Sequence, residues 1–168
     1  MHKILISACL MGEKVRYDGE HSRMQSALLH TWMQQGRLLI LCPEVAGGLP
    51  IPRSAAEIEA GNAEAVIRGK GSIRCKDGTD VTDAFMRGAE RALALCMQHD
   101  IRIAILKEGS PSCGVMRLND GSFSGKKITG QGLTARLLQR HNIAVFNEFQ
   151  LFEAKAYVLD WEASDGES

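Results

Sequence analysis

The chain has 168 residues, 45% of them hydrophobic, enough for one domain with a proper core and no need of disulfide staples. Its 20 basic and 20 acidic residues cancel, which excludes a uniformly basic nucleic-acid-binding surface. Charge returns at Glu13, Lys14 and Arg16 with no cleavage site after them, and no apolar run reaches membrane-spanning length, so a cytoplasmic, soluble protein with no membrane partner is expected.

Residues 3–7 (KILIS) are a short β-branched run and read as a buried strand. Residues 24–35 place Met24, Leu28 and Trp32 at helical spacing, with Gly36 as a stop. Residues 38–41 (LLIL) read as a second buried strand, and residues 47–52 (GGLPIP) as loop. Residues 55–59 suggest a short helix. Residues 63–68 and 72–76, parted by Gly69-Lys70-Gly71, suggest a β-hairpin excursion closed by Asp77-Gly78. Thr79 or Asp80 then caps the longest helix, 81–99, whose apolar face holds Val81, Phe85, Ala89, Ala92 and Cys96.

A third buried strand, 101–106, leads into a long polar loop, 107–130. A helix over 131–141, a strand over 143–146 and a closing helix over 149–159 follow. The domain is expected to span 1–160, with 161–168 as a flexible tail. Short apolar strands alternating with helices imply a mainly parallel four-stranded sheet covered on both faces. Such sheets bind ligands beyond the carboxyl ends of their strands.

Five cysteines and no export signal point to thiols that are buried, catalytic or metal-bound rather than bridged. Cys9 lies two residues past the first strand, Cys42 directly after the second, and Cys113 in the loop leaving the third. In a parallel sheet these three loops open on one edge. Cys96, on an apolar helix face, and Cys75, in the excursion, read as packing. The first three could also be packing. Their neighbours argue otherwise: Pro43, Glu44 and Gly47-Gly48 after Cys42, and Glu108-Gly109-Ser110-Pro111-Ser112 before Cys113, serve an exposed loop site. Zinc usually takes four ligands, often in CxxC pairs, and no such pair occurs. Three widely spaced cysteines suit a [4Fe–4S] cluster with one iron left open.

Three segments carry a resemblance: Ser7-Ala8-Cys9-Leu10 with Val15-Arg16-Tyr17-Asp18-Gly19; Cys42-Pro43-Glu44-Val45-Ala46-Gly47-Gly48-Leu49-Pro50-Ile51-Pro52-Arg53; and Leu106-Lys107-Glu108-Gly109-Ser110-Pro111-Ser112-Cys113-Gly114. Together they closely resemble the thiouracil desulfidase (TudS-like) family, over nearly the whole chain. The resemblance implies a compact Rossmann-like three-layer domain and a [4Fe–4S] cluster held by Cys9, Cys42 and Cys113. It implies conversion of a thiolated pyrimidine to its oxo form with release of hydrosulfide, with Glu44 as acid/base and Ser110 as active-site serine. Gly109 departs from the bulkier residue common in the family, which is expected to adjust the pocket.

In the reaction that follows from this, the open iron binds the substrate sulfur as a Lewis acid. Glu44 activates water or shuttles protons, and Ser110 hydrogen-bonds the ring or the developing anion. No nicotinamide or flavin is implied. Asp18, Arg53 and Ser112 are candidate substrate contacts, each with a structural alternative: a turn for Asp18, an ion pair for Arg53, loop hydrogen bonding for Ser112. Lys126-Lys127 is a solvated face or a phosphate contact. The substrate is expected to be a free base, nucleoside or nucleotide rather than tRNA, for which relatives carry an extra domain. A monomer or homodimer is expected. The alternative function is a sulfur or iron–sulfur carrier serving a partner enzyme.

Overall fold

The computed structural model describes residues 2–166. In chain order its elements are β1 (Ile4–Ser7), α1 (Ala27–Gln34), β2 (Leu38–Leu41), α2 (Pro43–Ala46), β3 (Ala56–Ile58), α3 (Ala63–Ile67), β4 (Ile73–Cys75), α4 (Thr82–Gln98), β5 (Ile103–Leu106), β6 (Arg117–Asn119), β7 (Lys127–Thr129), α5 (Leu133–Arg140), β8 (Ala144–Asn147) and α6 (Leu151–Gly166). One four-stranded sheet, ordered β2-β1-β5-β8, is parallel throughout, with Ile4 opposite Leu38, Leu5 opposite Ala104 and Ile103 opposite Ala144.

Alternation along the strands builds three layers. Ile4, Ile6, Ile103 and Ile105 point to one face, where Leu29 and Trp32 of α1 and Ala154, Val158 and Trp161 of α6 cover them. Leu5, Ala104 and Leu106 point to the other, against Ala92 and Cys96 of α4 and Ala135 and Leu138 of α5. The α/β fold with a mainly parallel four-stranded sheet is thus as expected from the sequence. Among the described residues no helix is long and apolar enough to cross a membrane.

The excursion differs in its pairing. The strand β4 pairs antiparallel with β3, setting Ile58 opposite Ile73 and Ala56 opposite Cys75. Residues 55–59, expected as a helix, thus supply the first arm, and residues 63–68, expected as that arm, instead contain α3. Asn62 Oδ1 accepts the Ala65 N–H at 3.0 Å, and this cap starts a helix in a segment of good helix formers. Burying Ile58 and Ile73 beside Phe85 and Leu118 fixes the strand pairing. The long polar loop holds a second hairpin, β6 with β7, whose inner residue Leu118 joins the same cluster.

Two further features went unread. The single-turn α2 follows Cys42 directly, with Pro43 at its first turn, where the missing N–H costs nothing. At the other end α6 runs on to Gly166, through residues expected to be tail. Trp161 is buried, and Glu162 pairs with the buried Arg37. Residues 167 and 168 of the expected tail lie outside the described residues.

The turn α2 crosses α4 at glycines. A Cβ at Gly47 would stand 2.0 Å from the Ala84 carbonyl oxygen, and one at Gly88 would stand 1.9 Å from that of Pro43. This close backbone contact sets where Cys42 and Glu44 sit.

Candidate functional site

Because the sheet is parallel, β1, β2 and β5 end on one edge, and a cavity of about 330 Å³ opens beyond those ends. Cys9 enters it from the 3₁₀ turn Ala8–Met11, which follows β1 at once. Cys42 enters as the residue before α2, and Cys113 from the loop after β5. Backbone bonds fix each position. The Cys9 carbonyl accepts the Gly12 and Ser22 N–H groups at 3.2 and 2.9 Å. The Gly114 N–H returns to the Ser110 carbonyl at 2.9 Å, and Gly132 N–H reaches Gly114 at 2.8 Å.

All three are free thiols, and each has its pKa raised, first by burial. Cys9 is pushed up to about 11, with the Cys42 charge adding to the burial and Lys107 and Arg16 opposing it. At Cys42 the Val45 and Glu44 N–H groups pull against burial and the Glu44 charge, and the rise survives. Cys113 stands well above the usual thiol value; a Ser7 hydrogen bond opposes burial and the charges of Cys42, Cys9 and Glu44. The three thiols therefore feel one another across the cavity. Burial and mutual charge thus favour the neutral thiols, and only a guest carrying positive charge would draw them into the thiolate form.

A single ion fits poorly. Among the described residues no three His, Cys, Asp or Glu side chains are grouped to hold one metal ion. A cluster takes each thiolate on a different iron, so its donors need not converge on one atom. Cys75 and Cys96 do not line the cavity. Cys75 lies in β4, and Cys96 lies in the core on the buried face of α4, its thiol pushed up to about 12 by burial alone. Three of the five thiols thus share one cavity, and the other two lie away from it.

Glu44, from α2, and Ser110, from the β5 loop, face the same space. Ser110 Oγ donates to Glu44 Oε2 at 3.2 Å and accepts the N–H groups of Ser112 and Cys113 at 3.0 and 3.1 Å. Arg53 Nε donates to the other Glu44 oxygen at 3.1 Å, while Nη1 and Nη2 donate to the Pro50 and Val15 carbonyls at 3.1 and 3.0 Å. The remaining candidates sit apart. Asp18 is exposed, accepts the Glu20 N–H at 3.0 Å and does not line the cavity. Ser112 is buried and shares a 2.7 Å hydrogen bond with Thr134 Oγ1, also off the cavity.

Several lining or supporting residues were not singled out from sequence. Lys107 Nζ pairs with the buried Glu148 at 3.1 Å. Glu108 gathers the N–H groups of Gly109, Val115, Met116 and Arg117 with the Asn147 side chain. Ser7 supports both Cys113 and the Lys107 N–H. Their signal was position: each adjoins the end of a strand that carries a cysteine loop or, for Asn147 and Glu148, the end of β8. Gly109 has φ 87°, a conformation that suits glycine. A Cβ there would stand 3.6 Å from Lys127 Nζ, which reaches the cavity across it.

Comparison with known proteins agrees with this fold. A solved structure described as a [4Fe-4S]-dependent thiouracil desulfidase, TudS, superposes with a TM-score of 0.86 at 48% identity, covering 95% of this chain and 99% of its own. A Bacillus subtilis (strain 168) protein, the uncharacterised YbbK, is 40% identical over 148 residues, 88% of this chain and 97% of its own length. The sequence profile of 2-thiouracil desulfurase matches residues 4–150, and the chain belongs to that family.

Proposed function

We propose that this protein is a [4Fe–4S]-dependent, non-redox desulfidase that converts a thiolated pyrimidine to its oxo form. The observation that carries the reading is the meeting of three thiols with a hydrogen-bonded Glu44–Ser110 pair at one cavity. Cys9, Cys42 and Cys113 would hold the cluster and leave one iron without a protein ligand. When bound, the cluster supplies a Lewis acid for the substrate sulfur.

The chain's own residues handle protons. Two backbone N–H groups occupy the Ser110 oxygen, so its proton points at Glu44 Oε2. Glu44 takes a proton from the water that attacks the ring carbon and passes it to the departing sulfur. Once Glu44 carries that proton, the Ser110 hydroxyl is released to turn and donate to the oxygen developing on the ring. Thiocarbonyl plus water gives carbonyl plus hydrogen sulfide, and no electrons are gained or lost. Arg16 and Lys127 on the cavity wall support a substrate with an anionic substituent, such as a thiouridine nucleotide. A reducing cytoplasm would keep the three thiols available.

The test is anaerobic reconstitution followed by hydrosulfide release from 2- and 4-thiolated bases, nucleosides and nucleotides. Wild-type protein is expected to bind about four irons, and Cys9→Ser, Cys42→Ser or Cys113→Ser to abolish binding. Cys75→Ser and Cys96→Ser keep the cluster. Full activity of an iron-free protein would refute the reading.

A further inference from the structure

We infer that Arg53 is a positioning residue: it locks one oxygen of Glu44 and thereby assigns proton transfer to the other. The inference rests on the desulfidase reading for its kinetic consequence, and on the structure for its geometry. The Arg53 side chain is only 6% exposed, and Glu44 is its one ion-pair partner among the described residues. Its guanidinium is engaged on three sides. Nε holds Glu44 Oε1, Nη1 holds the Pro50 carbonyl and Nη2 holds the Val15 carbonyl. The Arg53 backbone N–H also reaches the Tyr17 carbonyl at 2.7 Å. One residue thus ties the loop after β1 to the loop after α2 and braces the carboxylate between them.

The consequence at Glu44 is an asymmetry. A carboxylate free to rotate presents either oxygen to a reacting proton. Here Oε1 carries the guanidinium bond and Oε2 carries the Ser110 hydroxyl. The hydroxyl is itself held by the N–H of Cys113, so the orientation runs unbroken from Arg53 to the loop that bears a thiol. An arginine committed in this way has little left for substrate. Recognition of a substrate phosphate by Arg53 would require breaking bonds to groups that have no other charged partner among the described residues.

The test is kinetic and uses the reconstituted protein. Arg53→Gln keeps a planar donor for the carbonyls and loses the cation beside Glu44. It is expected to retain iron and the visible absorption of wild type, keep KM and lower kcat about 10²-fold, equally for thiolated base and nucleotide. Arg53→Lys restores the charge without the fork and is expected to recover part of that loss. A merely structural arginine would instead lose iron together with activity. An arginine that binds phosphate would raise KM for the nucleotide alone. Either result, or an unchanged kcat, overturns the inference. If wild type with a full cluster releases no hydrosulfide, it is the desulfidase reading that fails. The inference is then decided by unfolding midpoints of Glu44→Gln, Arg53→Gln and the double variant. Positioning makes the second substitution nearly without further effect, whereas additive losses would refute the coupling.

Discussion

Glu108→Gln isolates a carboxylate that organises the Cys113 loop without touching a thiol. Oε1 accepts N–H groups from Gly109, Val115, Met116 and Arg117 at 3.2, 2.8, 3.1 and 3.3 Å. Oε2 accepts Asn147 Nδ2 at 2.6 Å and shares the Met116 N–H at 3.1 Å. Glutamine keeps an oxygen for the first set and puts an NH₂ where the second was. Asn147 cannot turn over to meet it, because its Oδ1 already accepts the Phe149 N–H at 2.9 Å. One charge-assisted bond is lost and two donors face each other, a cost of about 2–3 kcal/mol. For a domain of this size that lowers Tm by about 5–10 °C. Thermal unfolding followed by circular dichroism reads it directly.

The pH dependence gives a second, independent reading. Burial raises the Glu108 pKa, but the Asn147 amide and the N–H groups of Met116, Val115 and Arg117 outweigh it and hold the carboxyl below 4.5. A lowered folded pKa contributes stability above the unfolded value and loses it as pH falls through the folded one. The gap between wild type and Glu108→Gln is therefore full at pH 7 and closes as the solution is taken below pH 4.5. A Tm shift under about 2 °C at pH 7, or a gap that widens in acid, would refute the account of this hub.

The crossing of α2 over α4 predicts that Gly88→Ala costs about 3 kcal/mol or more, because its Cβ meets the Pro43 carbonyl oxygen. Iron bound per chain should fall with it, since Cys42 caps α2 and Glu44 lies on it. Gly36→Ala, with φ 69° and open space around it, should cost about 1–2 kcal/mol and leave iron unchanged; urea unfolding and iron analysis compare the two. Ser112→Ala removes a buried hydroxyl from Thr134 and should cost about 1–2 kcal/mol of stability with KM unaltered. A rise in KM would return Ser112 to the substrate.

The convergence of Cys9, Cys42 and Cys113 was legible because it needs only short apolar runs read as parallel strands, each followed by a loop with a cysteine. The geometry of a parallel sheet does the rest. Pairing in the excursion was not legible, because strands of three residues are too short to show a period and Ile58 meets Ile73 only once both are buried under α4. Arg53 was legible as a charge near the site but not as the partner of Glu44, since three bonds from three separate places decide its direction. Ser112 adjoins Cys113 in sequence, yet the local turn points it into the protein toward Thr134. The expected tail was misread because the polar end of α6 hides Trp161, one residue whose burial extends the helix.

The carrier alternative makes a different demand on the same thiols. To hand over a cluster, a protein must let an acceptor's thiolates reach the irons and displace its own ligands. Cys9 is 7% exposed and Cys113 is 6% exposed; the Cys9 carbonyl accepts the Gly12 and Ser22 N–H groups, and the Cys113 N–H is held by Ser110 Oγ. The cavity is also lined by Glu44, Ser110, Lys107 and Lys127, groups suited to a small polar molecule rather than to a docking thiol. A carrier would also have no use for a serine whose proton is directed at a carboxylate. Mixing the reconstituted protein with an apo-ferredoxin under anaerobic conditions should give no faster cluster appearance on the acceptor than free iron and sulfide give. Glu44→Gln should abolish hydrosulfide release while leaving that slow exchange untouched. Rapid, stoichiometric transfer that survives Glu44→Gln would reverse the argument and make the cavity a delivery site.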